Sequence, residues 1–341
     1  KKTMTDNLFK KVAVFTDLHI GAKSNSTTHN EDCEQFIDWF IETAKANGCE
    51  VGMFLGDFHH NRSSLNILSM DYSVRCLEKM GAAFEKFYFL PGNHDLYLKD
   101  RRDVCSVIYG KFIPGITIIE KPMTIGNVTL CPWLIGDEWK TVGKTGGRYI
   151  FGHFELPGFF LNSMVRMPDT GEIRNEQFKP YELGFSGHFH QRQSNGNINY
   201  IGNAFPHNYA DAGDDARGMM ILEWGGEPQY LAWPKQPTYR SYKLSEVISE
   251  PDKLLKEGMH CRVTIDIPIT FEEANFIKET FIPQYNLREM HLVPSKADIN
   301  TDLAPVDISF ETVDHIVMSQ IESIDTESFD KNLLMAIYQE L

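Results

Sequence analysis

The chain has 341 residues, 42% of them hydrophobic and 23% charged, which predicts an ordinary globular protein with one large domain and an appendage, or with two to three domains. Its net charge of −14 argues against a nucleic-acid partner, but residues 241–341 contribute −11 of this charge and residues 1–240 only −3. No apolar run approaches the roughly 18 residues of a membrane span, and the polar residues 1–6 contain no signal-peptide core, so we expect a cytoplasmic protein without membrane contact.

The first third of the chain alternates predicted strands and helices. In chain order we predict a strand at 12–16, a helix at 31–47 that ends at Gly48, a strand at 51–55, a helix at 64–80 that ends at Gly81, and a strand at 87–90. This alternation predicts an open α/β sheet whose functional site lies at the carboxyl edge of the strands.

Beyond a third predicted helix at 101–109, the pattern changes to strands. The segments 116–119 and 128–130 flank Gly126 and Asn127 and predict strands of a second sheet, and further strands are predicted at 149–151, 183–186, 199–201, 217–224 and 229–233. We therefore predict an α/β fold in which two sheets pack together with helices outside them, a four-layer α-β-β-α sandwich.

The character of the sequence shifts near residue 234. Pro234, Pro237 and Pro251 punctuate a predicted linker, after which a strand at 261–267 and a helix at 271–281 predict a small α+β domain. The last stretch, 309–341, is acidic and carries an apolar stripe. Such a stripe usually packs on its own domain, but at the end of the chain we favour a surface that binds a partner.

Five of the predicted strands end in side chains that can bind metals. In chain order these ends hold Asp17 and His19; Asp57; Asn93, His94 and Asp95; His153; and His188 and His190. Glycine directly precedes Asp57, His153 and His188, where a sharp turn or a close backbone approach would require it. Any one of these residues is more commonly a hydrogen-bonded core histidine or a capping aspartate, but recurrence at five strand ends favours a shared site.

The donor types predict a two-metal site. Seven candidate ligands offer nitrogen and oxygen and no thiolate: Asp17, His19, Asp57, Asn93, His153, His188 and His190. The six cysteines form no C-x-x-C pair, and we expect them to be reduced and buried. This donor set suits two divalent ions, with manganese expected and magnesium, iron or zinc as alternatives. Two such ions, bridged by Asp57, predict hydrolysis of a phosphate ester.

The order of these motifs resembles a known family. The clusters D-x-H, G-D, G-N-H-D, G-H and G-H-x-H, at about 17–190, resemble the signature of the calcineurin-like metallophosphoesterase superfamily. Within it, the segments 16–21 and 56–60 are similar to SbcD-type DNA nucleases, the nuclease subunit of the SbcCD and meiotic-recombination-eleven complexes. The segments 152–156, 200–202 and 217–218 most resemble the version encoded by large-genome tailed phages, which would place the protein in the host cytoplasm.

The resemblance implies roles for individual residues. It assigns the first metal to Asp17, His19, Asp57 and His190, and the second to Asp57, Asn93, His153 and His188. It implies that His94 stabilises the transition state or protonates the departing oxygen, although His94 could instead be structural and orient Asp95. By spacing, His60 matches a histidine that positions substrate, with the adjacent His59 as the open alternative.

The resemblance also implies a domain plan and partners. It predicts a nuclease domain at 1–235, a DNA-capping domain at 236–304, and C-terminal helices at 305–341 that grip the coiled coil of an SMC-like, SbcC-type ATPase. The implied assembly is a homodimer within a heterotetramer. The implied function is a DNA nuclease of recombination, repair and end processing, acting as an exonuclease on duplex DNA and as an endonuclease on single strands.

Two other functions compete with this interpretation. A phosphomonoesterase or protein phosphatase of the same fold usually carries a G-D-x-x-D-R-G loop, from which residues 56–62 depart. A non-catalytic assembly subunit would have no need for the intact ligand set. Four further histidines, His207, His260, His291 and His315, lie in no motif and are predicted to be ordinary, and Trp133 is predicted to lie in the core or at a rim.

Overall fold

The computed structural model describes residues 7–161 and 165–295. The strands are β1 (Lys11–Phe15), β2 (Val51–Phe54), β3 (Lys86–Phe89), β4 (Ile116–Ile118), β5 (Met123–Ile125), β6 (Val128–Cys131), β7 (Tyr149–His153), β8 (Leu183–Gly187), β9 (Gln193–Asn195), β10 (Ile198–Tyr200), β11 (Gly218–Glu223), β12 (Gln229–Ala232), β13 (Thr238–Lys243), β14 (Met259–Ile265) and β15 (Glu289–Pro294). The helices are α1 (Ala22–Asn25), α2 (Thr27–Ala46), α3 (Ile67–Ala83), α4 (Leu244–Ser249), α5 (Pro251–Leu254) and α6 (Phe271–Gln284). Short 3₁₀ helices lie at Asn93–Asp95, Ile108–Phe112, Gly136–Thr141, Asn175–Phe178 and Tyr209–Asp211.

The first sheet has the order β12-β11-β1-β2-β3-β4, and β1 to β4 run parallel. Because successive side chains of a strand point to opposite faces, β1 serves two cores at once. Ala13 and Phe15 face the helices α2 and α3, where the Phe15 ring lies 4.6 Å from that of Phe40. Val12 and Val14 face the other sheet. This arrangement explains why the strand sequence is apolar throughout.

The second sheet has the order β5-β6-β7-β8-β10-β9, and its strands β6, β7, β8 and β10 are parallel neighbours. Residues such as Tyr149, Phe151 and Phe185 join the core between the two sheets. The opposite face packs Ile150 and Tyr200 against Phe178 and the surrounding loops. The predicted α/β sandwich is confirmed, and in the described ranges its outer layer over this sheet consists of 3₁₀ turns and loops in place of α-helices.

A third, parallel sheet of β13, β14 and β15 forms a smaller unit with its own core and with α4, α5 and α6. It contacts the larger part through an ion pair of 2.7 Å between Arg288 and Asp32. This sheet lies within the range 236–304 for which we predict a DNA-capping domain, a role that stays a prediction. Residues 296–304 and the predicted partner-binding helices at 305–341 lie outside the described residues, as does His315.

The predicted third helix at 101–109 is wrong. The segment folds back as a loop, with the Tyr97 amide donating to the Val104 carbonyl (3.1 Å), and only a 3₁₀ turn at Ile108–Phe112 follows. The guanidinium of Arg102 is directed inward, where it pairs with Glu138 and donates to the Trp133 carbonyl (2.7 Å). These partners are distant in sequence, so the local pattern could not indicate the loop.

Two further predictions are corrected. Ile116–Ile118 pairs with β3 in the first sheet, and the turn at Gly126 and Asn127 instead joins β5 to β6. Gly81 does not end its helix, since α3 continues to Ala83. A Cβ at Gly81 would lie 2.2 Å from the Pro114 carbonyl oxygen, so the glycine allows a loop to pack closely against the helix.

The six cysteines are free thiols, as predicted, and all except the partly buried Cys105 are buried. Burial raises the pKa of Cys131 to about 12, which keeps this thiol protonated and unreactive. None of the helices in the described ranges combines the length and the apolar content that a membrane crossing requires.

The close contact at Gly81 generates a stability prediction. In a helix interior, replacing glycine by alanine normally stabilises the fold by about 1 kcal/mol. For Gly81→Ala we expect a net loss of about 1–3 kcal/mol, because the new methyl group overlaps the loop carbonyl. Urea denaturation measures the free energy of unfolding. The control is Ala82→Gly, exposed on the same helix, which should lose only about 1 kcal/mol. A stabilised Gly81→Ala variant would contradict the expectation.

Candidate metal centre

The carboxyl ends of parallel strands from both sheets meet at one edge of the sandwich. Asp17, Asp57 and Asn93 follow β1, β2 and β3 of the first sheet, while His153 ends β7 and His188 follows β8 of the second. Strands that run in the same direction end at the same edge of their sheet. The structure thus brings all seven predicted donors together in two overlapping clusters.

The first cluster is built around Asp17. Its Oδ1 atom lies 3.7 Å from His19 Nε2 and 3.6 Å from His190 Nε2. His19 Nε2 in turn lies 3.8 Å from Asp57 Oδ2. Two carboxylate oxygens and two imidazole nitrogens therefore face a common point.

The second cluster shares Asp57 with the first. Asp57 Oδ2 lies 3.3 Å from His153 Nε2, which lies 3.0 Å from Asn93 Oδ1. His188 Nδ1 completes the group at 3.1 Å from the same Asn93 oxygen. Asp57 Oδ2 faces imidazoles of both clusters, so this one carboxylate oxygen belongs to both donor sets.

In both aspartates, one oxygen is held by protein hydrogen bonds and the other is left for a cation. Asp17 Oδ2 accepts from Thr16 Oγ1 (2.6 Å) and from the His188 amide (3.1 Å), whereas Oδ1 is buried without a hydrogen-bond partner in the described residues. Asp57 Oδ1 accepts from the His94 amide (2.8 Å), and Oδ2 faces the imidazoles. His19 Nε2 is likewise buried and unpaired in the described chain. Buried polar atoms are rarely left unpaired, so this donor set fits divalent ions.

Hydrogen bonds to the outer ring nitrogens orient two of the histidines. His153 Nδ1 donates to the Leu55 carbonyl (2.6 Å), which directs Nε2 at Asp57 and Asn93. His188 uses the opposite arrangement, with Nε2 at 3.2 Å from Glu155 Oε1 and Nδ1 toward Asn93. Such outer partners fix the tautomer and the orientation of metal-binding histidines.

Buried charge sets the protonation of the cluster. Burial acts to raise the pKa of Asp17, but the neighbouring imidazole of His19 and the charge of His153 outweigh it and hold the pKa at about 2. Burial acts to lower the pKa of His153, but the charge of Asp57 outweighs it and raises the pKa to about 9. Without an ion, the buried carboxylates thus draw a proton onto an imidazole, which indicates a pocket that requires positive charge.

The backbone at the site is strained. Asp17, His19, Asp57 and His188 have φ angles of 52°, 52°, 62° and 91°, in the left-handed region that side chains other than glycine rarely occupy. Each such residue costs about 1–3 kcal/mol, and strain of this kind concentrates at functional sites. The turns aim the donor side chains inward immediately after each strand ends.

Glycines allow the strand ends to approach each other. A Cβ at Gly92 would lie 2.2 Å from Asp57 Oδ1, and one at Gly187 would lie 2.1 Å from Thr16 Oγ1. Any larger residue at either position would displace a donor or the hydroxyl that holds it. Close approach therefore explains why glycine precedes these motifs.

Asp95, predicted only as a neighbour of His94, connects two of the motifs. Its buried carboxylate accepts four amide hydrogen bonds of 2.8–3.0 Å, from Asp57, Phe58, His59 and Gly92. Burial and the charge of Asp57 raise the pKa of Asp95 to about 7, against the lowering effect of the amides. Asp95 thereby fixes the turn after β2 to the turn after β3.

The two candidate histidines after Asp57 occupy different environments. His60 lies beside the cluster, with its ring 5.5 Å from that of His19 and 5.8 Å from that of His94. His59 is directed away, and its ring nitrogens contact Ser106 Oγ (2.7 Å) and Ser73 Oγ (2.9 Å). His94 Nδ1 donates to the His60 carbonyl (2.7 Å), which leaves Nε2 as its other ring nitrogen.

Two residues near the site escaped sequence reasoning. His207, predicted to be ordinary, packs its ring 5.4 Å from His19 and 5.5 Å from His190. Glu155 orients His188 through its carboxylate. Trp133 lies at the rim as predicted, with its ring 5.3 Å from that of His188. The one available signal for His207 was its position after β10, which ends at the same edge as β8.

The burial of His59 generates a pH prediction. Burial lowers the pKa of His59 from 6.5 to about 3, so between these values the unfolded chain binds one more proton than the folded chain. The stability contributed by neutral His59 is complete above about pH 6.5 and is lost as the pH falls. The stability advantage of the parent over His59→Gln should therefore shrink by about 2 kcal/mol between pH 7 and pH 5.

Urea denaturation in the presence of a chelator measures this difference. The control is Ser73→Ala, which removes a hydrogen-bond partner of His59 but no titratable group, so its deficit should change little with pH. If the difference in free energy of unfolding between the parent and His59→Gln did not change with pH, His59 would not be the source of the pH dependence.

Comparison with known proteins adds independent findings. Residues 10–192 match the model of the calcineurin-like phosphoesterase family. The chain is 23% identical over 244 residues to exonuclease subunit 1 of Enterobacteria phage T4, a match that covers 67% of this chain and 70% of that protein.

Two solved structures are also similar. Nuclease MPE of Pseudomonas putida has 17% identity and a TM-score of 0.29, and the match covers 52% of this chain and 61% of that one, less than two thirds of its length. A dimetal phosphatase from Danio rerio has 10% identity and a TM-score of 0.38, and the match covers 63% of this chain and 92% of that one. The family match covers more than half of the chain, and all seven clustered donors, from Asp17 to His190, lie within it. The chain therefore belongs to the calcineurin-like phosphoesterase family, whose fold binds two divalent metal ions.

Proposed function

We propose that this protein is a two-metal-dependent DNA nuclease that works with an SMC-like ATPase in DNA recombination, repair and end processing. The observation that carries the proposal is the pair of donor clusters that share Asp57 Oδ2. The similarity to a phage protein named as an exonuclease subunit supports DNA as the substrate and a larger complex as the setting. The proposed activities are exonuclease action on duplex DNA and endonuclease action on single strands.

The clusters give each donor a place in the proposed site. Asp17, His19, Asp57 and His190 would hold the first ion, and Asp57, Asn93, His153 and His188 the second. We propose manganese, because it accepts both imidazole and carboxylate ligands. When bound, the ions would polarise the phosphorus–oxygen bonds of the substrate and lower the pKa of water, so that hydroxide would be available near neutral pH to attack phosphorus.

His94 has the geometry of a proton donor. The hydrogen bond from His94 Nδ1 to the His60 carbonyl fixes the ring, so Nε2 is the nitrogen that would deliver a proton to the departing sugar oxygen. His94 is only partly buried, and its ring lies 4.9 Å from that of His19. His60, which lies beside the rings of His19 and His94, would position the phosphate. Both ring nitrogens of His59 are instead within hydrogen-bond distance of serine hydroxyls.

A cleft lies beside the site on its exposed side. A cleft of about 330 Å³ borders His188 and His190 and extends past Leu161 and Asn208. The side chain of His190 is 32% exposed, in contrast to the fully buried His153. We therefore propose that a phosphodiester approaches the cluster from the side of His190.

The activity test compares substrate classes under one set of conditions. Labelled duplex and single-stranded DNA are incubated with the protein and Mn²⁺, with and without the ATPase, in parallel with p-nitrophenyl phosphate. Cleavage of DNA supports the nuclease. Hydrolysis of the monoester alone would indicate a phosphomonoesterase, and no turnover of either substrate would indicate a non-catalytic subunit.

The proposed role of His94 predicts a separation of binding from turnover. His94→Ser should retain two ions, because His94 is not among the proposed ligands, but should lose the nuclease activity by at least about a hundredfold, as expected when a general acid is removed. Metal analysis and initial rates of DNA cleavage measure the two properties. Equal rates in parent and variant would refute the role.

The shared position of Asp57 predicts a joint loss of both ions. Asp57→Asn keeps an oxygen that can accept from the His94 amide but removes the charge that faces both clusters. We expect elemental analysis after gel filtration to find no retained metal. The control is Asp137→Asn, whose side chain is 80% exposed and which should retain two ions per chain. Two ions per chain in Asp57→Asn would contradict the assignment.

A further inference from the structure

His207 lies against the first ligand cluster although no metal motif contains it. It follows β10, whose carboxyl end lies at the same edge as that of its parallel neighbour β8. Its residue surface is only 7% exposed. Its ring centroid is 5.4 Å from that of His19 and 5.5 Å from that of His190. A chain segment outside the known motifs thus delivers an imidazole to the first metal position.

The Nε2 atom of His207 has no hydrogen-bond partner in the described ranges, although it is buried. His19 Nε2 is in the same condition, and one ring nitrogen each of His19, His190 and His207 all lie within 4.8 Å of one another. Folded proteins rarely leave buried polar atoms unpaired. Two of these three imidazoles, His19 and His207, therefore carry a buried nitrogen without a partner, which a single ion bound by the group would satisfy.

The backbone holds His207 in this position from two sides. Its amide donates to Asp211 Oδ2 (2.9 Å), and its carbonyl accepts from the Tyr239 hydroxyl (2.9 Å) of β13. Earlier in the same segment, the Asn203 amide donates to the carbonyl of His190 (3.1 Å). The imidazole is thus placed before any ion arrives, as an effective ligand requires.

A neighbouring histidine provides a contrast. The ring of His29 also packs against His207, at 5.4 Å, and is equally buried. Its Nε2 atom, however, forms a hydrogen bond of 2.9 Å with the His19 carbonyl. His29 therefore has a satisfied structural role, whereas His207 presents an unpaired nitrogen to the cluster.

We propose that His207 is a fifth protein ligand of the first metal position, in addition to Asp17, His19, Asp57 and His190. This inference rests on the metal placement of the proposed function. The first position would then have three imidazole ligands, from His19, His190 and His207. The second would have two, from His153 and His188. Nitrogen ligands favour manganese, iron or zinc over magnesium, so the two positions differ in both metal preference and affinity.

The first experiment uses the unmodified chain. Protein labelled with ¹⁵N-histidine is stripped of metal and titrated with Zn²⁺, and the imidazole nitrogens are followed by NMR. We expect five imidazoles to show the shift of a ligated nitrogen: His19, His153, His188, His190 and His207. Four shifted imidazoles with two bound ions would overturn the role of His207 alone, whereas no bound ion would overturn the proposed metal centre as well.

The second experiment assigns the fifth imidazole. His207→Leu should remove one ligated signal and weaken the binding of one of the two ions at least about tenfold, since loss of even an outer partner of a ligand costs that much. The control is His291→Leu, which removes an imidazole that pairs with Glu289 (2.6 Å) outside the cluster and should leave both affinities unchanged. An affinity in His207→Leu equal to that of the parent would overturn the proposal.

Discussion

Two buried carboxylates impose the main constraint on this structure. Asp17 is 0% exposed and Asp57 is 2% exposed, and an uncompensated negative charge in the interior is costly. The protein compensates each one only in part, because hydrogen bonds reach one oxygen and imidazoles surround the other. The fold thus creates a demand for positive charge at one place. The strained turns, the glycines and the clamp formed by Asp95 all serve to maintain this arrangement.

The layered architecture makes that concentration possible. Parallel strands from two different sheets end at one edge, so residues as distant in sequence as Asp17 and His188 come into hydrogen-bond contact. The faces of the same strands bury the apolar side chains that stabilise the sandwich. Because the site occupies strand ends and the core occupies strand faces, the polar cluster does not interrupt the packing. The partly exposed His190 and His94 then mark the side that solvent and substrate can reach.

Much of the site could be predicted because its signals are local. All seven proposed donors lie within four residues of a strand end, and an apolar run followed by glycine and a ligand is recognisable in sequence. The errors arose where distant partners decide the structure. Arg102 holds a loop through Glu138, and Gly81 lies inside a helix because the Pro114 carbonyl needs the space. His207 was overlooked because it lies seven positions beyond the end of β10, outside any motif next to a strand end.

The small sheet of β13, β14 and β15 contacts the segment that carries His207. Tyr239 of β13 reaches across to the carbonyl of His207, and Arg288 neutralises the largely buried Asp32 of α2. Both contacts anchor the smaller unit close to the first ligand cluster. A rearrangement of the small sheet would therefore move His207, whose ring packs against those of His19 and His190.

The indole ring of Trp133 lies beside histidines of the second cluster. Its indole ring lies 5.3 Å from that of His188 and 6.0 Å from that of His153, which places it against the second cluster and away from the first. Indole fluorescence responds to nearby charge and is quenched by paramagnetic ions. Among the five tryptophans of the chain, Trp133 is thus an intrinsic optical reporter for the second of the two proposed positions, and its contribution to the emission would show when that position fills.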